Sequence, residues 1–158
     1  MDMDALSQTY LAPLNAGVGY PEEVGYSYLL NDTRLDFSVE SLSYVDLLLD
    51  SIRSTERPEF GAFISIQENQ TFLFVLGFYV GAVIARNSEQ SIRWFDYDAM
   101  LKAIPDNAVM FPKVFQTTIT CQLSRGGFFV PLSSICSRLF EEPVDKSVRF
   151  SAEGFMGR

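Results

Sequence analysis

The sequence predicts a single α+β domain, a small and mostly antiparallel sheet packed against one buried apolar helix and one or two amphipathic helices. Three observations predict it. Thr71 to Ala85, TFLFVLGFYVGAVIA, is a run without a single charge. The segment after Ser38 repeats its apolar residues at helical spacing, and several short runs alternate in the manner of strands.

The uncharged run is shorter than the ~20 residues a helix needs to cross a bilayer and close to the ~10–14 of a buried core helix. It reads as the spine of a soluble domain, with Gln67–Gln70 and Arg86–Gln90 as polar loops beside it. Gly77 and Gly81 lie one turn apart on one helix face, where a neighbouring element can approach closely.

Residues 1–34 lack sustained periodicity and contain Pro13, Gly17, Gly19, Pro21 and Gly25. They read as a loosely ordered arm with a short helical piece around Asp4 to Leu11, its four tyrosines favouring packing on the domain. The globular domain is expected over residues 35–143. Ser38 is a good N-cap, Glu40 complements the helix dipole, and Leu42, Val45, Leu49 and Ile52 form a stripe widened by Leu48. A helix is expected from Val39 to about Ser54, closed by Pro58, with Asp46 and Asp50 on a water-facing acidic edge.

Phe60 to Gln67 alternates like a half-buried strand. After the spine, Ile92 to Tyr97 reads as a strand holding the sole tryptophan, Trp94. Pro105-Asp106-Asn107 is expected to turn, Val109–Phe111 and Val114–Leu123 to form strands, and Gly126-Gly127 to turn again. Pro131 opens a last helix through Leu132, Ile135, Leu139 and Phe140, ended by Pro143. Residues 144–158 are expected to fray.

Charge is unevenly placed. Residues 1–57 hold ten carboxylates against three basic residues, and residues 58–158 hold ten against nine, so nearly all of the net −8 lies in the first third. An acidic face repels phosphate backbones and attracts cationic proteins, so nucleic acid is an unexpected partner and a basic protein an expected one. The 158 residues contain no histidine, which removes Ser-His-Asp, Cys-His and zinc-His chemistry. Cys121 and Cys136 are too few for a structural zinc site and are expected as reduced, buried thiols. The start, MDMDALSQTY, carries aspartates where an export signal carries basic residues, so a cytoplasmic location is expected.

No catalytic, cofactor or metal residues are assigned. Asp96 and Asp98 supply too few oxygens for a hard cation, which takes six or more. Gly77 and Gly81 sit inside an apolar run rather than in a phosphate-binding turn. Arg93, Trp94 and Tyr97 carry the residue types enriched at interface hot spots, although a tryptophan anchoring the sheet on the spine fits the same residues.

The pattern Phe37-Ser38, Ser41-Leu42, Val45-Asp46, Leu48-Leu49, then Leu76 to Ile84 and Trp94 resembles a group of small bacterial α+β proteins across residues 37–95. The group includes immunity- or antidote-type proteins of toxin systems, and the resemblance implies no catalytic residues. The expected function is therefore a non-enzymatic bacterial protein-interaction domain, of the immunity type that neutralises a basic toxin domain. The alternative is a small-ligand-binding or carboxylate-based enzyme domain with its site near Trp94. The candidate contact residues are Glu40, Asp46, Asp50, Arg93, Trp94 and Tyr97, and lysines at the three acidic positions are expected to slow association while sparing the fold.

Overall fold

A computed structural model describes residues 2–104, 111–141 and 146–157. Among them, helices α1 (Met3–Ala16), α2 (Ser27–Asp32), α3 (Ser41–Glu56), α4 (Phe60–Ile64) and α5 (Gln67–Ser88) precede strand β1 (Ile92–Phe95). Then come α6 (Tyr97–Ala103), a 3-10 turn at Phe115–Thr117, β2 (Thr120–Leu123), β3 (Phe128–Phe129), α7 (Pro131–Phe140) and α8 (Val148–Phe155). The strands form one antiparallel sheet in the order β1-β2-β3, with Trp94 opposite Cys121 and Cys121 opposite Phe129. The expected α+β domain with its small sheet is the observed one.

The spine is α5. A helix apolar all round must be covered on every side, and α1, α4, α7, α8 and β1 all pack on it. By length and composition α5 is able to cross a membrane, but two-thirds of its most apolar window is buried inside the protein, as befits a core helix. It is longer than the apolar run because the polar flanks continue the helix instead of forming loops. Thr71 Oγ1 donates to the Gln67 carbonyl at 3.1 Å and Ser88 Oγ to that of Ile84. Both glycines are contact points: a Cβ on Gly81 would stand 2.4 Å from the Trp94 ring, and one on Gly77 2.8 Å from Ile119 Cδ1.

The N-terminal arm is not loose. Asp2 accepts from the Ala5 amide at 3.1 Å to cap α1, and Gly17 closes it at φ 71°, a left-handed conformation suited to glycine. Pro13 is accommodated in the last part of the helix. The Tyr10 ring meets Phe74 and Phe78, and Asp4 Oδ1 accepts from the Trp94 amide at 2.8 Å. Asn31 brackets the Tyr20 backbone with two hydrogen bonds, tying the following turn to α2. These partners lie far along the chain, so no local pattern announces them.

The helix after Ser38 starts two residues later than expected. Ser38 Oγ still accepts from the Ser41 amide at 3.2 Å, and Leu42, Val45, Leu49 and Ile52 are all buried. Its entry is fixed by Tyr79 of α5, whose hydroxyl accepts from the Phe37 amide at 2.9 Å and lies 2.6 Å from Ser41 Oγ.

Of two further expected strands, one is helical and the other is strand only in its second half. Within Phe60–Gln67, Phe60–Ile64 forms α4 and Gln67 already opens α5; the Glu59 carboxylate accepts from the Gly61 and Ala62 amides at 2.9 and 2.7 Å, an N-cap that outweighs a weak alternation. Phe60 and Phe63, three apart, then both meet Phe140 edge-on at 5.3 Å. In Val114–Leu123 only the second half is strand, since Thr117 Oγ1 bonds the Pro112 and Val114 carbonyls and accepts from the Val114 amide, curling the first half. Phe111 lies in a bend, while Pro105–Asn107, Val109 and Pro143 lie outside the described residues.

Ile92–Phe95 is a strand, but Tyr97 begins α6, capped by Asp96 accepting from the Ala99 amide at 2.8 Å. The Gly126-Gly127 turn and the Pro131 helix are as expected. The fraying tail is instead α8, with Val148 and Ala152 fully buried.

Cys121 and Cys136 are buried and unbridged, and burial pushes both thiols up to about 12, which keeps them protonated at neutral pH. Mass analysis of native protein under non-reducing conditions is expected to show two free thiols; a loss of two mass units would contradict this. Gly81→Leu is expected to lower unfolding free energy by about 1–3 kcal/mol or more, because the added side chain enters the volume of Trp94. Urea unfolding measures it, and a parent-like midpoint would mean that the contact is absent.

Candidate functional site

The six residues singled out in the sequence do not converge. Asp46 is buried: Oδ1 accepts from the Val148 amide and Oδ2 from Ser147 Oγ, each at 2.8 Å. It thus neutralises the N-terminus of α8, where a carboxylate is favoured by the helix dipole. Asp50 receives Arg138 through a two-pronged contact, Nε to Oδ1 and Nη2 to Oδ2 at 2.7 Å each, and Arg53 Nη1 at 2.8 Å. The water-facing acidic edge is therefore corrected. It is the seat of α7 and α8, and lysines at Asp46 and Asp50 would disrupt the fold.

This clamp is held by charge-assisted bonds in a partly dry setting. Arg138 also donates to the Lys146 carbonyl at 3.0 Å, and Arg53 to the Arg138 carbonyl at 2.6 Å. Burial pushes the Asp50 carboxyl up, but hydrogen bonds from Arg138 and Arg53 outweigh it and hold the group below the usual carboxylate range.

Trp94 is interior, 6% exposed, with its ring edge-on to Phe78 at 4.8 Å. Arg93 points outward, its guanidinium 5.1 Å from the Phe95 ring centroid, and Tyr97 donates to the Phe111 carbonyl at 2.8 Å. A hollow of about 490 Å³ does border Trp94, with Asp2, Asp4, Asp96, Arg93 and Lys102 among its walls. Its three carboxylates each accept from a backbone amide, those of Ala5, Trp94 and Ala99, and so serve as structural acceptors. Among the described residues no cluster of three or more Asp, Glu, Cys or His has metal-site geometry.

Glu40 alone of the acidic candidates is exposed, and it heads a surface the sequence reading missed. Glu40, Tyr44 and Leu47 follow the i, i+4, i+7 spacing, which places them on one face of α3 opposite the buried stripe. Tyr44 is 42% and Leu47 61% exposed. Both line a shallow hollow of about 440 Å³, whose other wall is Leu29, Asp32, Thr33 and Arg34. Their signal was in the sequence: two large apolar residues standing on the polar side of an amphipathic helix.

The chain matches no family model, no curated protein and no solved structure.

Asp50→Asn is expected to destabilise the protein by roughly 2–3 kcal/mol, below the ~3–5 kcal/mol of a fully buried pair because the clamp is partly solvated. Because its folded-state carboxyl titrates below the unfolded one, Asp50 contributes fully above about pH 4 and loses that contribution as pH falls through the lower folded value. Unfolding free energy measured from pH 7 to 2 checks both: the Asn variant should lack this acid-labile increment. Parallel stability curves would show that the clamp contributes nothing.

Proposed function

We propose that the chain is a non-enzymatic protein-interaction domain that engages a basic protein through the outer face of α3. The observation that carries this reading is the pair Tyr44 and Leu47, exposed over a hollow that Asp32 and Arg34 also line, with the exposed Glu40 one turn before Tyr44. A tyrosine and a leucine beside a concavity supply the apolar centre of an interface, and the surrounding carboxylates steer a cationic partner. With Asp46 and Asp50 held in the clamp, Glu22, Glu23, Asp32, Glu40 and Glu56 remain exposed in the acidic first third. The engagement of the carboxylates around Trp94 by backbone amides favours this reading over carboxylate chemistry there.

Neutralisation of a basic toxin domain, in the manner of the bacterial immunity-type proteins that residues 37–95 resemble, is the form of interaction proposed. A cytoplasmic setting accords with two reduced, buried thiols.

The test is a photo-crosslinking residue at Tyr44 in the native cell, followed by affinity measurement with whatever protein is captured. The partner is expected to be basic, and association to slow as salt rises. Tyr44→Ser and Leu47→Ser should each weaken binding by about tenfold or more, with Glu40→Lys acting mainly on the on-rate. All three should melt close to the parent, since exposed substitutions change stability by under about 0.5 kcal/mol. Unchanged affinity in all three variants, or an acidic partner, would overturn the proposal.

A further inference from the structure

A cavity of about 510 Å³ lies between α4 and α7, away from the α3 face, and its walls include Phe60, Val114, Val130 and Phe140 with Cys136 beneath. A second hollow of about 410 Å³ adjoins it, because Val130, Ser133 and Lys146 line both. Phe129 and Phe155 lie in that second wall, and Phe150 stands at its lip, 79% exposed. Each hollow has a volume in the ~300–1,000 Å³ range of small-ligand sites, and its aromatic and valine side chains stand among polar ones, Gln116, Thr117 and Ser137 in the first and Ser134, Ser147 and Ser151 in the second.

One cation marks the junction. Lys146 is exposed, its carbonyl is anchored by Arg138, and its ammonium has no ion-pair partner among the described residues. Glu141, the other charge on the cavity wall, accepts from Ser137 Oγ. The geometry points to a binding groove for a free fatty carboxylate, with its alkyl chain along Phe60, Val130 and Phe140 and its carboxylate on Lys146. An ammonium without an ion-pair partner among the described residues, set where the two hollows meet beside Phe60, Val130 and Phe140, selects an anionic head joined to a hydrocarbon body over a neutral oil or a polar anion. Association is non-covalent, since the Cys136 thiol stays protonated and is a poor nucleophile.

Calorimetric titration of the full chain with laurate, below its micelle concentration, tests the assignment. One saturable site is expected, with affinity falling by about fourfold for each methylene removed on going to decanoate. Lys146→Glu should weaken laurate at least tenfold and leave dodecanol unchanged. Ser133→Trp, a change at an exposed position that fills the junction, should abolish both, with far-ultraviolet circular dichroism confirming the fold. The inference is overturned if laurate shows no saturable binding, if Lys146→Glu binds it as the parent does, or if Ser133→Trp binds both ligands as the parent does. Uptake by anionic phosphatidylglycerol vesicles without binding of free laurate would also overturn it, and would assign the surface to a membrane.

Discussion

A helix that is apolar on every side has no face to give to water, and the architecture follows from covering it. The interior of α5 is closed by α1 on one side, α7 and α8 on others, and β1 across Gly81. The two glycines let backbone-close contacts form where any side chain would hold neighbours apart. Trp94 fills one such contact, so the sheet is fastened to the spine through the largest ring in the chain. The same packing explains why the indole serves the core.

A second constraint is polar. Asp46 and Asp50 stand one turn apart on α3, and the structure brings the α8 N-terminus to the first and Arg138 to the second. Carboxylates withdrawn from water need partners, and each of these has several. The acidity of the first third is thereby divided, part of it used internally to seat the C-terminal helices and part left on the surface. Only the second part is open to solvent, which is why the proposed interaction face lies around α3 at Glu40, Tyr44 and Leu47 rather than at Asp46 and Asp50.

The two proposed surfaces differ in physical character. The α3 face is open and shallow, flanked by exposed carboxylates, and suited to a protein. The groove beside α7 is concave and partly aromatic, bordered by Lys146, which has no ion-pair partner among the described residues, and is proposed to suit a small amphiphile. They are built from different elements, α2 and α3 in one case and α4, α7 and α8 in the other, and Arg138 of the clamp reaches the second by donating to the Lys146 carbonyl.

What the sequence by itself determined were features that local chemistry decides: the spine, its glycine contacts, the buried stripe of α3, the Gly126 turn, the Pro131 helix and the buried thiols. Periodicity and backbone conformational preference act within a few residues, and so they can be read along the chain. The packed arm, α4, α8 and the inward turn of Asp46 and Asp50 were decided only by the tertiary structure. Asp4 finds Trp94, Asn31 finds Tyr20, Phe60 and Phe63 find Phe140, and Asp46 finds Val148, across separations no local pattern encodes. For the candidate site the division is the same: residue type marked Glu40 as acidic surface, but whether a carboxylate faces water or a distant arginine depends on which helix folds against it.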